Sequence, residues 1–245
     1  MLQVMPSPSA GPSLRLRKKL ATRRALRRAA LDLVVEHGYA HVTIEDIAAA
    51  ADVSPRTFFN YFPSKEAAVL GEDPERDEAL RQELIARPAG EPPTDALRHV
   101  LRAQASHLAR EVDEIAGSPA EWVKRYQALR RDRELSAAHA AHMASIERLV
   151  GEALAERLEV DARRDPYPAL LASSALGAMR VAFVFWAMSG GTAVLADLVE
   201  AAFSTLALGL PEDNPLRDAV RAITQPGLPD PASPSDAHRP LEVQR

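Results

Sequence analysis

Residues 43–65 read TIEDIAAAADVSPRTFFNYFPSK, and this stretch decides the fold. Thr43 opens a helix, with Asp46 three residues later as a weaker version of a capping box. Ile44, Ile47, Ala48 and Ala51 then fall at helical spacing. Ser54-Pro55 opens another helix, because serine accepts from first-turn N–H groups and proline is preset for the first helical position. Pro63 ends that helix, which is therefore short, about Ser54 to Tyr61. Ser64 caps a fourth helix beginning Lys65-Glu66. Two short helices two or three residues apart form a helix-turn-helix whose second member is free to enter a major groove. The same shape also serves as a plain structural corner, so the surrounding charge has to arbitrate.

Upstream, Leu14 to Arg28 (LRLRKKLATRRALRR) holds eight Lys/Arg in fifteen residues and no acid. Such a run is a solvated helix face or a phosphate-neutralising arm, and beside a helix-turn-helix the second reading gains weight. Residues 1–70 balance at +4 and the remainder at −8, within a chain total of −4. A basic head on an acidic body implies a polyanionic partner for the head alone. The second short helix carries Arg56, Thr57 and Asn60, which reach base edges or phosphates, and Phe59, which suits a thymine methyl. Thr43, Tyr61 and Lys65, with Arg15, Arg17 and Lys18 of the arm, suit phosphate, as do N–H groups at Thr43 and Ser64. Phe58 and Phe62, four apart, read as packing inward.

The composition fits an all-α protein. Ala, Leu, Arg and Glu dominate, with 11 Gly and no strand-like runs of Val, Ile, Thr and Tyr. There is no cysteine, so disulfides, thiolate zinc sites and thiol redox switches are excluded. The N-terminus lacks a basic-then-apolar signal, and a cytoplasmic location is expected. Ala169 to Met188 alone has membrane-spanning length, but Arg180 at its centre is costly in a bilayer, so a buried helix and no membrane partner are expected. Gly-rich phosphate loops, His-Glu-x-x-His and nucleophile elbows are all missing, so the chain reads as no enzyme and needs no cofactor.

Outward from the motif, residues 1–13 read as a disordered leader and 14–70 as the helix-turn-helix DNA-binding domain. Its first helix spans 14–37 and stops at Gly38. Residues 71–210 read as a larger helical domain, with helices near 74–86, 94–116, 119–131, 133–159, 166–189 and, capped by Thr192, 192–209. The Pro-rich tail 211–245 reads as mostly disordered, with a short helix available from Asn214 to Ile223.

The stretch AALDLVVEHGYAHVTIEDIAAAADVSPRTFFNYFPSKEAAV (29–69) resembles the DNA-binding domain of the TetR family of bacterial repressors, and the likeness spans about Ala21 to Leu70. Many members carry Tyr where Phe59 stands. The resemblance implies that Thr43, Tyr61 and Lys65 hold the DNA backbone while Pro55, Arg56, Thr57, Phe59 and Asn60, behind the Ser54 cap, face the groove. It also implies a homodimer whose C-terminal domain binds a small-molecule effector and whose paired heads read a palindromic double-stranded operator. The body, ELSAAHAAHMASIERLVGEALAERL (134–158) and ALGAMRVAFVFW (175–186), is similar to a subgroup associated with acyl-CoA-like ligands; a hydrophobic antibiotic or other lipophile competes with that class.

Residues 166–189 are apolar nearly all round and must be buried on more than one side. With 192–209 they would supply a four-helix interface between two subunits. Trp122, Tyr126, His139, His142, Met143, Met179, Phe183 and Trp186 suit either a ligand pocket or plain core. Arg180, a lone cation in an apolar helix, fits an anionic ligand head or a salt bridge to a neighbouring helix. His139 and His142 stand three apart with nothing to complete a metal site, so no metal is expected.

Overall fold

The computed structural model describes residues 14–129 and 131–224; the expectations for the leader 1–13 and for the tail beyond 224 lie outside the described residues. Among the described residues there are eleven α-helices and no strand. They are α1 Leu14–His37, α2 Ile44–Ala50, α3 Pro55–Phe59, α4 Lys65–Leu70, α5 Pro74–Ile85, α6 Pro93–Ala116, α7 Pro119–Leu129, α8 Arg133–Arg157, α9 Tyr167–Met188, α10 Leu195–Ala207 and α11 Pro215–Thr224. The starts follow their capping chemistry. Side chains of Thr43, Ser54, Ser64, Asp73 and Asp132 accept first-turn N–H groups, each worth about 1 kcal/mol. The short helix available near 214–223 is present as α11, which packs on α10.

A 3-10 turn, Tyr39–His41, fills the gap between α1 and α2. Two local expectations need correction. The helix after Ser54 ends at Phe59, not Tyr61, with Asn60 as its C-cap. Finally, α10 starts at Leu195 with Val194 as N-cap. Thr192 does not cap it, because its hydroxyl donates to the Ser189 carbonyl (3.2 Å). The Trp186 indole N–H meanwhile holds the Ala193 carbonyl (3.0 Å) outside the helix.

Two cores result. In the head, Leu26, Ala30, Leu31 and Val34 of α1 pack with Ile47 and Ala48, Phe58 and Phe62, and Ala67, Ala68 and Val69. Phe58 and Phe62 are 0% exposed and stand 5.9 Å apart between ring centroids. Ile115, Leu129 and Leu135 belong to the same cluster, so α6, α7 and α8 close the head core from below. The body core runs through α5, α6, α8, α9 and α10 around Leu97, Leu101, Leu154, Trp186, Leu198 and Val199.

Among the described residues α9 is the one helix long and apolar enough to span a membrane. In the fold it packs against α6, α7, α8 and α10. One side is left uncovered: Leu170, Val184, Phe185 and Met188 are exposed, up to 70% at Met188. Val194 and Leu208, at the two ends of α10, are exposed as well, and contiguous apolar surface of this kind marks an interaction site.

Candidate nucleic-acid interface

The head presents α3 outward on a braced support. The turn before it depends on Asp52, whose φ of 54° is left-handed, a conformation that aspartate tolerates better than most residues. The Asp52 N–H donates to Ala49 O and the Val53 N–H to Ala48 O, so the chain reverses without leaving donors empty. Ser54 Oγ then accepts from the Thr57 N–H (3.1 Å) and lies 2.9 Å from Thr57 Oγ1. Behind α3, Phe58 locks into the core, while Phe59, in edge contact with it at 5.6 Å, is 56% exposed.

Ser54, Pro55, Arg56 and Asn60 are exposed, and Thr57 and Tyr61 are half-buried. The side chains of Arg56 and Asn60 make no hydrogen bond or ion pair among the described residues. This is a surface of unspent donors beside one bare aromatic ring. At the start of α2 the polar groups are already engaged. The Thr43 hydroxyl and N–H both donate to Asp46 Oδ2 (2.5 and 2.9 Å), and the Asp46 N–H returns to Thr43 Oγ1 (3.1 Å). The capping box is therefore complete, and those two donations hold the Asp46 carboxyl below its ordinary range.

The basic run divides in two. Arg15, Arg17 and Lys18 are exposed and have no partner among the described residues. The inner five cations instead join the head to the body. Lys19 meets Glu75 (2.6 Å), Arg23 meets Asp73 (3.1 Å) and Arg24 meets Glu114 (2.5 Å), while Arg27 binds Glu111 and Arg28 donates to the Glu114 carbonyl. Arg76 reaches the other Glu111 oxygen (2.6 Å). Arg23 also donates to Tyr61 O (2.7 Å) and stacks over Phe62 at 4.3 Å, fixing the segment after α3. Reading the whole run as phosphate-binding therefore needs correction for these five. Lys19, Arg23 and Arg27 lie one turn apart on one face of α1, a spacing visible in the sequence. Their acidic partners, some fifty to ninety positions away, left no local mark. A groove of about 550 Å³ runs along this joint, lined in part by Arg24, Arg76, Arg110 and Glu111.

Burial alone would raise the Glu111 carboxyl, but the adjacent Arg27 and Arg76 guanidinia outweigh it and hold the group below the usual carboxylate range. Burial disfavours the charge on Arg27, and Glu111 works against that shift. Lys65, expected on phosphate, has its ammonium on the Tyr39 and Val42 carbonyls (2.7 and 2.8 Å).

Eight of the nine body residues fall into three settings. Trp122 touches both cores, with Arg27 5.1 Å from its ring centroid and its buried N–H without a hydrogen bond among the described residues. Tyr126 and His139 form an edge-to-face pair with hydroxyl and Nε2 3.0 Å apart. Nearby His142 lies 3.9 Å from Glu72, and Met143 is exposed. Met179 and Phe183 pack against the body core with buried Trp186. The ninth is Arg180. It is exposed, has no acid partner among the described residues, and shares the uncovered side of α9 with Val184. Neighbouring helices occupy the other sides, so only that side accepts a charge.

This geometry is that of a helix-turn-helix head on an all-helical body. The chain belongs to the TetR family of bacterial regulatory proteins, a family of DNA-binding transcriptional regulators. The family model described as "Bacterial regulatory proteins, tetR family" matches residues 26–70, and the MftR C-terminal domain model matches 91–211. The HTH-type transcriptional regulator TcmR of Streptomyces glaucescens is 48% identical over 93 residues, 38% of this chain and 41% of that protein. The chain thus spans about two fifths of that relative's length. FadR from Bacillus halodurans, described as a fatty acid degradation regulator, superposes with a TM-score of 0.50 at 20% identity, over 77% of this chain and 96% of that one, and shows the shared fold. A Thermus thermophilus FadR solved in complex with lauroyl-CoA is 27% identical, with a TM-score of 0.45 over 77% of this chain and 95% of that one.

The division of cations has a measurable outcome. Arg17→Ala is expected to shallow the salt dependence of DNA affinity by about 0.9 in log–log slope. Arg24→Ala should leave the slope unchanged, because its guanidinium is committed to Glu114. Arg56→Ala should relax sequence preference by about 1–3 kcal/mol at the base it reads. Anisotropy titrations over a salt series check all three; equal slope changes for Arg17→Ala and Arg24→Ala would overturn the division.

Proposed function

We propose that the chain is a ligand-responsive repressor that acts as a homodimer on a palindromic operator. Residues 14–70 are the DNA-binding unit and 71–210 the regulatory and dimerising unit. Ser54 to Asn60 enter the major groove, with Arg56, Thr57, Phe59 and Asn60 at the bases. Arg15, Arg17, Lys18, Thr43 and Tyr61 lie along the phosphates. The observation that carries this reading is the contrast on α3 and its C-cap, where Arg56 and Asn60 are exposed without partners among the described residues while Phe58 and Arg23 brace the helix from behind.

The uncovered side of α9, apolar apart from Arg180, supports pairing of two copies, because an isologous contact buries the same stripe twice. Two heads then meet half-sites about 34 Å apart. The effector is a lipophile of acyl-CoA type, held in the body near Trp122, Met179 and Phe183. It lowers operator affinity by preferring a body conformation that mis-spaces the heads, a coupling of about 1–3 kcal/mol in typical cases. The protein acts in the cytoplasm and meets no membrane.

The test is a footprint on DNA upstream of the coding sequence, with and without a medium-chain acyl-CoA. Two protected half-sites one helical turn apart, released by the acyl-CoA, are expected. No protection at low ionic strength would defeat the reading of the head. Protection indifferent to acyl-CoA would defeat only the effector class.

A further inference from the structure

The single chain leaves two charges unmatched on one surface. Arg180 is exposed on the uncovered side of α9 and has no acid partner among the described residues. Glu147, exposed on α8, accepts the Ser173 hydroxyl of α9 and has no cationic partner among the described residues. Its neighbours at helical spacing on α8 are Met143, Ala144, Val150 and Gly151, so α8 supplies none. Ser173 and Arg180 stand seven positions apart, about 10 Å along α9 and within about 20° of one face. An anion and a cation are thereby set in line along one helix, each open to what docks there.

Between them lies Gly177. Glycine weakens a helix interior relative to alanine, and here nothing of the chain comes within 4 Å of the place a Cβ would take. The packing of the chain itself therefore gives no reason for glycine. Larger apolar side chains stand seven positions to either side, Leu170 at 66% and Val184 at 41% exposed. The uncovered side of α9 is a low waist between two apolar shoulders, with one charge of each sign beside it.

Such a surface is complementary to itself. Turned about a two-fold axis through Gly177, a second α9 runs antiparallel to the first, and positions equally far before and after Gly177 meet. Leu170 of one copy then lies on Val184 of the other, and the two glycines let the backbones approach. Each Arg180 arrives at the Ser173–Glu147 pair of the other copy. A parallel pairing would set Arg180 against Arg180 and leave both Glu147 carboxylates unmet. Resting on the homodimer proposed above, we propose that the two copies cross at Gly177 with their α9 helices antiparallel, and that Arg180 of each pairs with Glu147 of the other. The apolar shoulders supply the contact, and the two reciprocal ion pairs fix its register.

The experiment measures dimer dissociation of the full-length protein by sedimentation equilibrium, for wild type, R180E, E147R and an equimolar mixture of the two variants. Circular dichroism verifies that these exposed substitutions leave the helices intact. Each variant alone sets like charges together twice, so its dimer is expected to be weaker by about tenfold or more. In the mixture each introduced charge faces its opposite on the other chain, and so does each native one. Dimers of wild-type affinity are therefore expected at concentrations where either variant alone is monomeric. Pairing of the two charges within one chain predicts no such rescue. Two variants that dimerise like wild type, or weakened dimers that the mixture does not restore, overturn the proposal. Gly177→Leu checks the crossing separately and is expected to split the dimer; a dimer as tight as wild type moves the crossing elsewhere and overturns it. A monomeric wild type defeats the homodimer and this register with it. A wild-type dimer indifferent to the two charges defeats the register alone.

Discussion

Phe58→Ala is expected to unfold the head and abolish DNA binding while the body stays helical. Phe58 is 0% exposed and touches Phe59 and Phe62 at centroid distances of 5.6 and 5.9 Å, within a cluster shared with Leu26, Ile47 and Val69. Truncating a buried phenylalanine costs about 3–5 kcal/mol, part transfer and part cavity. A small domain has only about 5–15 kcal/mol in total. The three head helices after α1 have 7, 5 and 6 residues, too short to persist without that core. Urea unfolding should therefore split into an early head transition and a later body transition. Phe59→Ala is the control: its half-exposed ring contributes little to stability, so it should weaken DNA binding without an early transition. A single transition for Phe58→Ala, shifted by less than about 1 kcal/mol, would show that the head core does not depend on this ring.

Glu111→Gln is expected to cost about 3–5 kcal/mol, the usual result of stripping one charge from a buried pair. It leaves two guanidinia, Arg27 and Arg76, facing a neutral amide. The side chain of Arg27 is only 9% exposed, so water restores little. The pH dependence has a definite sign. In the folded protein the Glu111 carboxyl titrates below its ordinary value of 4.5. Its contribution is therefore complete above the unfolded carboxyl range and is lost as pH falls through the depressed folded value. Wild-type stability should drop below about pH 4.5 by more than that of Glu111→Gln, which has no such group to protonate. Parallel melting curves against pH for the two proteins would remove Glu111 from the joint.

Much of the architecture was legible because local chemistry sets helix starts. Ser54-Pro55, Ser64 and Thr43 each announced a cap that the backbone uses. The start of α10 was not legible: Thr192 looks like a cap in sequence, but the turn at Gly190 and Gly191 and the bond from Trp186 to Ala193 delay the helix. Candidate contacts on α3 were legible as residue types at exposed positions. The roles of the cations were not, because a positive charge carries no label for its partner. Arg17 and Arg24 look alike in the run, and only the third dimension brings Glu114 to one of them. Arg180 was unreadable for a different reason. A helix apolar nearly all round has no polar face to orient it, so the sequence could not tell which side its neighbours would leave open.

Gly71 ends α4 at a φ of 74°, and the space its missing side chain would fill is taken by the Arg27 guanidinium. The crossing from head to body is therefore stapled where a slack tether would have been the simpler build. A slack tether absorbs small displacements before passing anything on. Here a tilt of α6 would carry Glu111 and Glu114 with it, and Arg24, Arg27 and Arg28 are the contacts through which α1 would follow. The two heads of a pair would then move as the ends of rigid levers, their separation set by the angle at which each α6 leaves its own body.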